Sequence, residues 1–459
     1  MQNNTALEYN LLSFIDYKEL SFWDVKSYLG ILTQSNFNVV KLGKYIKHQN
    51  NKIKPNDFPE QDFEILGVNN KTGLFDAHIQ KGQEINQPYK IVEDGFLAYN
   101  PYRINVGSIG LKLPEQKFKY ISPAYVVFSC KSDLLPEYLF AMFKTERFNA
   151  IINENTTGSV RQNLSYNRLS QIDIPLPSIK EQKALIEAYQ NKLNQAKKLE
   201  QEHSDLGEQI EEYLLKKLGI ELNIIDFFPV GKLGFVDSAK INRWDAFYCL
   251  NSVKIFEQLS KSNANIVSLD KVISSYQYGL SSKSTKENNK GVPFLRMNNI
   301  QSGELDTTKL KYVPDDKSIL NHILDKGDLL FNRTNSKELV GKTAVFQENE
   351  RFTFASYLIR VKIDPKTANV NYINCLFNSK IIRSQIDLIS RQVLGQANIN
   401  STELRELKIP LPSIDIQNNI ADSIQQMKDS QKNKFQQAQQ LKKQALLDFE
   451  NAIFKKPTR

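Results

Sequence analysis

The sequence is poor in the residues that build disulfide frameworks and metal sites. Its 459 residues include only three cysteines and four histidines. The cysteines are odd in number and far apart, which argues against a disulfide framework or a metal knuckle and predicts buried, reduced thiols at Cys130, Cys249 and Cys375. The histidines are isolated and have neither a His-Glu-x-x-His pattern nor a cysteine partner. The sequence therefore predicts no metal centre.

Long apolar runs are also missing. No stretch of about 18 apolar residues occurs, and residues 1–5 are not a basic segment followed by an apolar run. Hydrophobic residues make up 41% of the chain and charged residues 24%, which is typical of a soluble globular protein. We expect a cytoplasmic protein with no membrane partner. Its length is too great for one ordinary core and predicts two domains with connectors.

No catalytic signature in the sequence is complete. Residues 100–103 (Asn-Pro-Tyr-Arg) resemble the Asn-Pro-Pro-Tyr loop of amino-methyltransferases but lack its second proline. No glycine-rich loop follows a strand, so S-adenosylmethionine has no visible site. Residues 341–343 (Gly-Lys-Thr) end like a phosphate-binding loop, but Ser336 stands where that loop requires a glycine. The sequence predicts a non-catalytic chain without a cofactor.

The most informative feature that the sequence does contain is an internal repeat. The hexapeptide Ile-Pro-Leu-Pro-Ser-Ile occurs at residues 174–179 and again at 409–414. Gln182 and Gln417 follow the two copies at the same distance. Further matches keep the same order in both halves: Trp23 with Trp244, residues 95–100 with 327–332, 124–127 with 356–359, and Tyr138 and Phe143 with Tyr372 and Phe377. One design therefore occurs twice. The shared position of the tryptophans predicts packing anchors rather than base-stacking residues.

Each half begins with short β-like runs that are separated by glycine and proline turns and interrupted by helical stretches. Examples are residues 96–99 and 125–128 in the first half and 328–331 and 357–361 in the second. The pattern predicts an α/β or α+β domain twice.

A long segment with a helical pattern follows each domain. Ser178 can cap the first helix and Glu181 completes a capping box, whereas the second helix has Ser413 as its cap and Asp415 in its first turn. Apolar residues recur at steps of three and four, which is typical of a coiled-coil seam. A helix of about 40 residues spans roughly 60 Å and requires a partner for its apolar stripe. We predict that the two helices pair; the alternative is that each lies on its own domain.

The net charge of +9 and the pI near 9.0 favour an anionic partner. The lysines are scattered along the chain, so the charge alone does not identify that partner.

A doubled α/β domain whose copies both end in Pro-Leu-Pro-Ser-x-x-x-Gln and continue into a long helix resembles the specificity subunit of Type I restriction–modification systems. The resemblance covers essentially the whole chain. It implies an α/β (α+β) fold with target-recognition domains at 1–177 and 219–412, joined by long antiparallel coiled-coil helices at 178–218 and 413–459. In that family each domain reads one half of a bipartite double-stranded DNA sequence, and two modification (methyltransferase) subunits dock on the helices. A separate motor-nuclease subunit completes the restriction complex.

Half-sites one helical turn apart lie about 34–36 Å from each other on B-DNA, a distance that two readers on such a rod can match. The two copies share few surface residues, so we expect an asymmetric target. Three alternatives remain open: the specificity subunit of another multi-subunit restriction system, a single-chain enzyme such as a methyltransferase fused to a reader, and a tandem-repeat scaffold that does not bind DNA.

Candidate contact residues lie in loops that leave matching strands. Arginine suits guanine, and asparagine or glutamine suits adenine, whereas lysine and threonine more often hold phosphates. For each candidate the alternative is an ordinary turn residue. The DNA-binding candidates are Asn100, Tyr102, Arg103, Arg161, Gln162 and Asn163 in the first domain, and Arg333, Thr334, Asn335, Lys342, Gln396 and Asn398 in the second. The candidates for docking modification subunits are Leu193, Leu206, Ile210, Ile424, Met427 and Leu441.

Overall fold

The structure, a computed structural model, describes residues 34–156, 163–221, 246–285, 291–393 and 396–455. The chain forms two compact units, one made of residues 1–200 and 435–459 and the other of residues 201–434. Four residues with sequence predictions lie outside the described segments: Trp23, Arg161, Gln162 and Trp244.

The first unit combines three sheets with short helices. Its strands are β1 (Val39–Lys41), β2 (Ile46–His48), β3 (Lys52–Ile53), β4 (Asp62–Asn69), β5 (Gly73–Lys81), β6 (Tyr89–Ile91), β7 (Leu97–Tyr99), β8 (Ile109–Leu111), β9 (Tyr120–Ile121), β10 (Val126–Cys130) and β11 (Asp173–Pro175). The sheets have the orders β2-β10-β7-β8, β3-β6-β9-β4-β5 and β1-β11. The helices that begin in this unit are α1 (Pro136–Phe143), α2 (Glu146–Asn155), α3 (Tyr166–Ser170) and α4 (Ile179–Leu218).

Strand β7 shows why this sheet lies at the centre of the unit. Successive side chains of a strand point to opposite faces of its sheet. Leu97 and Tyr99 accordingly pack into the core formed with α1 and α2. Ala98 lies between them and packs on the other face, against Leu66 and Val68 of the five-stranded sheet. Both faces of the strand are covered, and all three of its residues are buried. The loop that carries candidate contact residues begins directly after Tyr99.

The second unit contains five small sheets. Its elements are α5 (Ala246–Ser260), β12 (Asn265–Ser268), β13 (Ile273–Tyr278), β14 (Gly291–Leu295), β15 (Ile300–Gln301), β16 (Glu304–Leu305), β17 (Lys311–Pro314), β18 (Leu329–Asn332), β19 (Thr334–Asn335), β20 (Thr343–Val345), β21 (Thr353–Phe354), β22 (Leu358–Ile363), α6 (Val370–Phe377), α7 (Lys380–Ile389), β23 (Arg391–Val393), β24 (Gln396–Asn398), α8 (Ser401–Glu406), β25 (Lys408–Leu411) and α9 (Ile414–Ile453). The sheet orders are β12-β25, β13-β22-β18-β20, β17-β14-β21, β15-β16 and β19-β24-β23.

The repeat predicted from the sequence is present in the structure. The four-stranded sheets β2-β10-β7-β8 and β13-β22-β18-β20 connect equivalent strands in the same order. In both units two helices follow, and the strand that carries Ile-Pro pairs antiparallel with the first strand of the domain. The units differ in the strands inserted between these shared elements: within the described segments they form a five-stranded sheet in the first unit, and two three-stranded sheets and one two-stranded sheet in the second. The predicted α/β (α+β) fold class is confirmed.

The glutamine of the repeated motif is a buried connector. The Gln182 Nε2 group donates to the Pro177 carbonyl over 2.9 Å, and its Oε1 accepts from the Leu135 N–H over 2.8 Å. Gln417 makes the equivalent bonds in the second unit, and both side chains are buried. Each glutamine thus joins the start of a long helix to the N-terminus of a domain helix.

The predicted capping box of α4 is also confirmed. The Ser178 N–H donates to Glu181 Oε2 over 2.8 Å, and the Glu181 N–H donates to Ser178 Oγ over 3.4 Å. These two bonds satisfy backbone donors that the first helical turn leaves open.

The long helices run antiparallel within the first unit. Lys192 of α4 forms an ion pair with Asp448 of α9, and Glu200 accepts from Lys442 Nζ over 2.6 Å. Residue numbers therefore rise along one helix as they fall along the other. Ala196 and Ala438 are fully buried in the seam.

The same direction holds within the second unit. The Tyr213 hydroxyl donates to Ser423 Oγ over 2.9 Å, and Lys434 Nζ lies 2.5 Å from Glu202 Oε2. The predicted pairing of the two helices is confirmed, and the alternative of two independent surface helices is wrong.

The three cysteines lie in described segments and form no disulfide. The sequence predicted buried thiols, whereas all three side chains are half-buried. Burial raises the pKa of the Cys130 thiol to about 12, which keeps this thiol protonated at neutral pH. Among the helices of the described segments, none is both long enough and apolar enough to cross a membrane.

Candidate nucleic-acid interface

In the second unit, candidate residues from two distant segments meet beyond the end of β18. Arg333 follows this strand directly, and β19 then pairs with β24, so that Thr334 lies opposite Asn398. The Thr334 Oγ1 group donates to Asn398 Oδ1 over 3.4 Å, although the two residues are 64 positions apart in the chain. Gln396 and Asn398 are exposed, which leaves polar side chains of β24 open to a partner.

Lys342 joins the same group of residues. Its carbonyl accepts from the Asn332 N–H over 2.9 Å, and the Asn332 carbonyl accepts from the Gly341 N–H over 2.8 Å. Gly341 has a φ of +84°, and a Cβ at this position would lie 2.5 Å from Ile386, so glycine is required for this turn. The half-buried Lys342 is therefore held beside the end of β18.

Arg333 is fixed by its backbone and by an aromatic ring. Its N–H donates to the Tyr357 carbonyl over 3.0 Å, and its carbonyl accepts from the Ile399 N–H over 2.9 Å. Its guanidinium carbon lies 4.9 Å from the centre of the Tyr278 ring, within the range of a cation–π contact. The Nε atom is buried and has no hydrogen-bond partner among the described residues.

In the first unit the candidates occupy the equivalent place after β7. Leu164 N–H donates to the Pro101 carbonyl over 3.1 Å, which brings the half-buried Asn163 beside the loop of residues 100–103. Tyr102 and Arg103 are exposed in this loop. Asn100 Oδ1 accepts from the Tyr102 N–H over 3.0 Å, so this oxygen stabilises the turn itself. This is the role of an ordinary turn residue, which the sequence analysis gave as the alternative to DNA contact.

Sequence reasoning missed three exposed tyrosines near Arg333, namely Tyr276, Tyr278 and Tyr357. Tyr276 and Tyr278 are two positions apart on β13 and therefore point to the same face of the sheet. The sequence signal that could have found Tyr276 and Tyr278 is the pair of aromatic residues at alternate positions of one strand. This pattern does not tell whether that face of the strand is buried, and the structure shows both rings at the surface.

The candidate docking residues of the long helices lie along the seam. Ile424 is only 1% exposed and packs into the core of the second unit, so in this arrangement its side chain has no surface for a partner. The other five are half-buried: Leu193, Leu206, Ile210, Met427 and Leu441. Their docking role remains a prediction.

Comparison with known proteins gives consistent results. A family model described as the Type I restriction modification DNA specificity domain matches residues 261–443. The putative type I restriction enzyme MjaX specificity subunit of Methanocaldococcus jannaschii is 32% identical over 146 residues, which cover 31% of this chain and 34% of that protein. The type I restriction enzyme EcoKI specificity subunit of Escherichia coli is 25% identical over 288 residues, which cover 62% of this chain and 56% of that protein. The matched segments thus cover about a third of the length of the first relative and just over half of the length of the second.

A solved structure described as "Structural basis underlying complex assembly and conformational transition of the type I R-M system" has a TM-score of 0.57 and covers 91% of this chain and 97% of its own. At 16% identity, this likeness concerns the fold alone.

The arrangement of the four-stranded sheet occurs in both units, and the family model matches the greater part of the second. Both named relatives are described as type I restriction enzyme specificity subunits. Residues 261–443 match the model of the Type I restriction modification DNA specificity domain, and the resemblance to Type I specificity subunits noted from the sequence is confirmed.

Proposed function

We propose that the chain is the sequence-specific DNA-binding subunit of a Type I restriction–modification complex and that each unit reads one half of a bipartite target. The main support is that candidate contact residues gather at equivalent places in both units, after β7 in the first and after β18 in the second. In the second unit this group contains one arginine, one lysine and several amides, which is the chemistry that contacts base edges and phosphates.

The differences between the units support an asymmetric target. The shared four-stranded sheet continues into Asn-Pro-Tyr-Arg in the first unit and into Asn-Arg-Thr-Asn in the second. The inserted sheets also differ in strand number and order. Equivalent frameworks that present different side chains would read different bases.

We further propose that two modification subunits dock on the chain, that they carry the catalysis, and that a motor-nuclease subunit can join the complex. The chain itself would be non-catalytic and cytoplasmic. Exposed apolar side chains on α9 are compatible with a partner, and they include Ile416 in the second unit and Leu447 in the first. Helices α4 and α9 each contribute residues to both units and would link the two readers.

The experiment that tests this function is a genome-wide map of methylated bases in the native host, with and without the gene. We expect methylation of a split, asymmetric motif that disappears when the gene is deleted and returns when it is restored. An unchanged map, in cells whose modification subunit is expressed and active, would contradict the proposal and favour the scaffold interpretation.

Replacement of Arg333 by alanine is expected to relax recognition at one base pair of the second half-site. A bidentate arginine–guanine contact discriminates against the wrong base by about 1–3 kcal/mol. The measurement is binding of the assembled modification complex to DNA duplexes with single base changes. The matched control is R351A in the same unit, because the Arg351 guanidinium is already paired with Asp315 at 3.0 Å. Full discrimination by the R333A complex would remove Arg333 from the contact residues.

A further inference from the structure

Two tyrosine–arginine pairs lie on the same face of β13. Tyr276 and Tyr278 are 41% and 38% exposed. The Arg405 guanidinium carbon lies 5.3 Å from the centre of the Tyr276 ring, and that of Arg333 lies 4.9 Å from the centre of the Tyr278 ring. Both pairs lie on the same face of the same strand and have similar contact distances, so each pair serves as a reference for the other.

The two arginines differ in how their charge is compensated. Arg405 Nε lies 2.6 Å from Asp270 Oδ1, and this contact raises the pKa of Arg405 and lowers that of Asp270. Among the described residues, no carboxylate lies within ion-pair distance of Arg333. The positive charge of Arg405 is therefore compensated inside the protein, whereas that of Arg333 is available to an outside partner.

The ring beneath Arg333 is itself anchored. The Tyr278 hydroxyl accepts a hydrogen bond of 2.9 Å from the N–H of Ser401, the first residue of α8. The ring is thus fixed at one end by β13 and at the other by a helix terminus. Because the Arg333 backbone is also bonded at both its N–H and its carbonyl, most of the remaining freedom of this residue lies in a side chain that rests on the ring.

A fixed arginine is suited to reading a base. A long side chain that becomes ordered on binding loses rotamer freedom, and this loss weakens every contact that it makes. A guanidinium that is already oriented loses less, and its planar fork matches the O6 and N7 atoms of guanine. A contact with a phosphate requires much less orientation, because a phosphate accepts from many directions.

We propose that Tyr278 is a positioning residue that holds the Arg333 guanidinium against a guanine of the second half-site, and that the Tyr276–Arg405–Asp270 group has a structural role. This inference rests on the proposed function. Tyr278 does not contact the base in this arrangement; it acts through Arg333. Loss of the ring therefore lowers discrimination at the base pair that Arg333 reads and leaves the other positions of the target unchanged.

The test compares Y278L, Y278F, Y276L, R333A and the Y278L/R333A double variant, each assembled with the modification subunits. Binding is measured on a set of DNA duplexes that carry every single base change in the target. We expect R333A to lower discrimination at one base pair roughly 10- to 100-fold and Y278L to lower it about 10-fold at the same base pair. Y278F keeps the ring but loses the bond to the Ser401 N–H, so it should lower discrimination less than Y278L does. Y276L should match the wild type, and the double variant should match R333A, because the two residues act as one unit.

Two results would overturn the inference and leave the proposed function standing. One is full discrimination in Y278L while R333A is relaxed. The other is an equal loss of affinity for all duplexes in Y278L, which would indicate a phosphate contact or a general structural effect. A wild-type complex without any sequence preference would instead contradict the proposed function itself. Thermal unfolding of each variant identifies any that fails to fold, and the comparison of Y278F with Y278L separates the loss of the hydroxyl bond to Ser401 from the loss of the ring.

Discussion

Replacement of Phe449 by alanine is expected to destabilise the first unit by about 3–5 kcal/mol, the range for removing a buried aromatic ring. Phe449 is 3% exposed and belongs to α9. Its ring centre lies 5.6 Å from that of Tyr138 in α1 and 5.7 Å from that of Tyr189 in α4. The substitution therefore leaves a cavity where three separate segments of the chain meet.

The control is L447A, two positions away on the same helix. Leu447 is 46% exposed, so its truncation should change the free energy of unfolding by no more than about 0.5 kcal/mol. Urea unfolding gives the overall loss, and hydrogen exchange of the α1 and α2 amides assigns it to the first unit. Equal stability of F449A and L447A would mean that α9 does not complete this core.

Replacement of Gln417 by alanine is expected to destabilise the second unit by about 2 kcal/mol, because two half-buried backbone groups lose their partner, each at the lower end of the range of about 1–3 kcal/mol. The Asn369 N–H donates to Gln417 Oε1 over 2.9 Å, and Gln417 Nε2 donates to the Pro412 carbonyl over 2.8 Å.

Gln425 supplies the matched control on the same helix. Its side chain is exposed and donates to Asp429 Oδ1, one turn further along, over 3.1 Å. Thermal unfolding of Q425A should therefore resemble that of the wild type, while Q417A melts earlier. The equivalent change in the first unit, Q182A, should have a similar effect there, since Gln182 makes the corresponding bonds. A wild-type melting temperature for both variants would show that the repeated glutamine is dispensable for stability.

The features that the sequence predicted well are those that depend on local pattern. The repeat, the capping box at Ser178 and the helical seam are each encoded within a few turns of chain, so spacing alone was sufficient. The pairing of the 333–335 segment with the 396–398 segment depends on a register between distant strands, which spacing does not determine. Arg333 does lie directly after a strand, as the sequence indicated, and its role in binding stays a prediction. Tyr278, whose ring contacts Arg333, was not found from the sequence.

The docking candidates show a second limit of pattern reasoning. A stripe of apolar residues indicates that one face of a helix is covered, but it does not say by what. In α9 the stripe faces α4 and the domain core, and Ile424 is buried there as a result. Ile416 and Leu447 stay exposed on this helix and fall outside the periodic stripe, whereas Phe435 is 45% exposed within it.

The core of the first unit takes Phe449, Ile453 and Phe454 from the far end of the chain. On the ribosome these residues emerge after the whole second unit has been made. At a synthesis rate of about 5–20 residues per second, the rest of this core waits roughly 10–50 seconds for them after residue 200 has been made. During that interval the apolar surface meant for α9 is open to chaperones and to neighbouring nascent chains. Translation speed and chaperone supply should therefore affect the yield of the first unit more than that of the second, whose residues are all made in one continuous stretch.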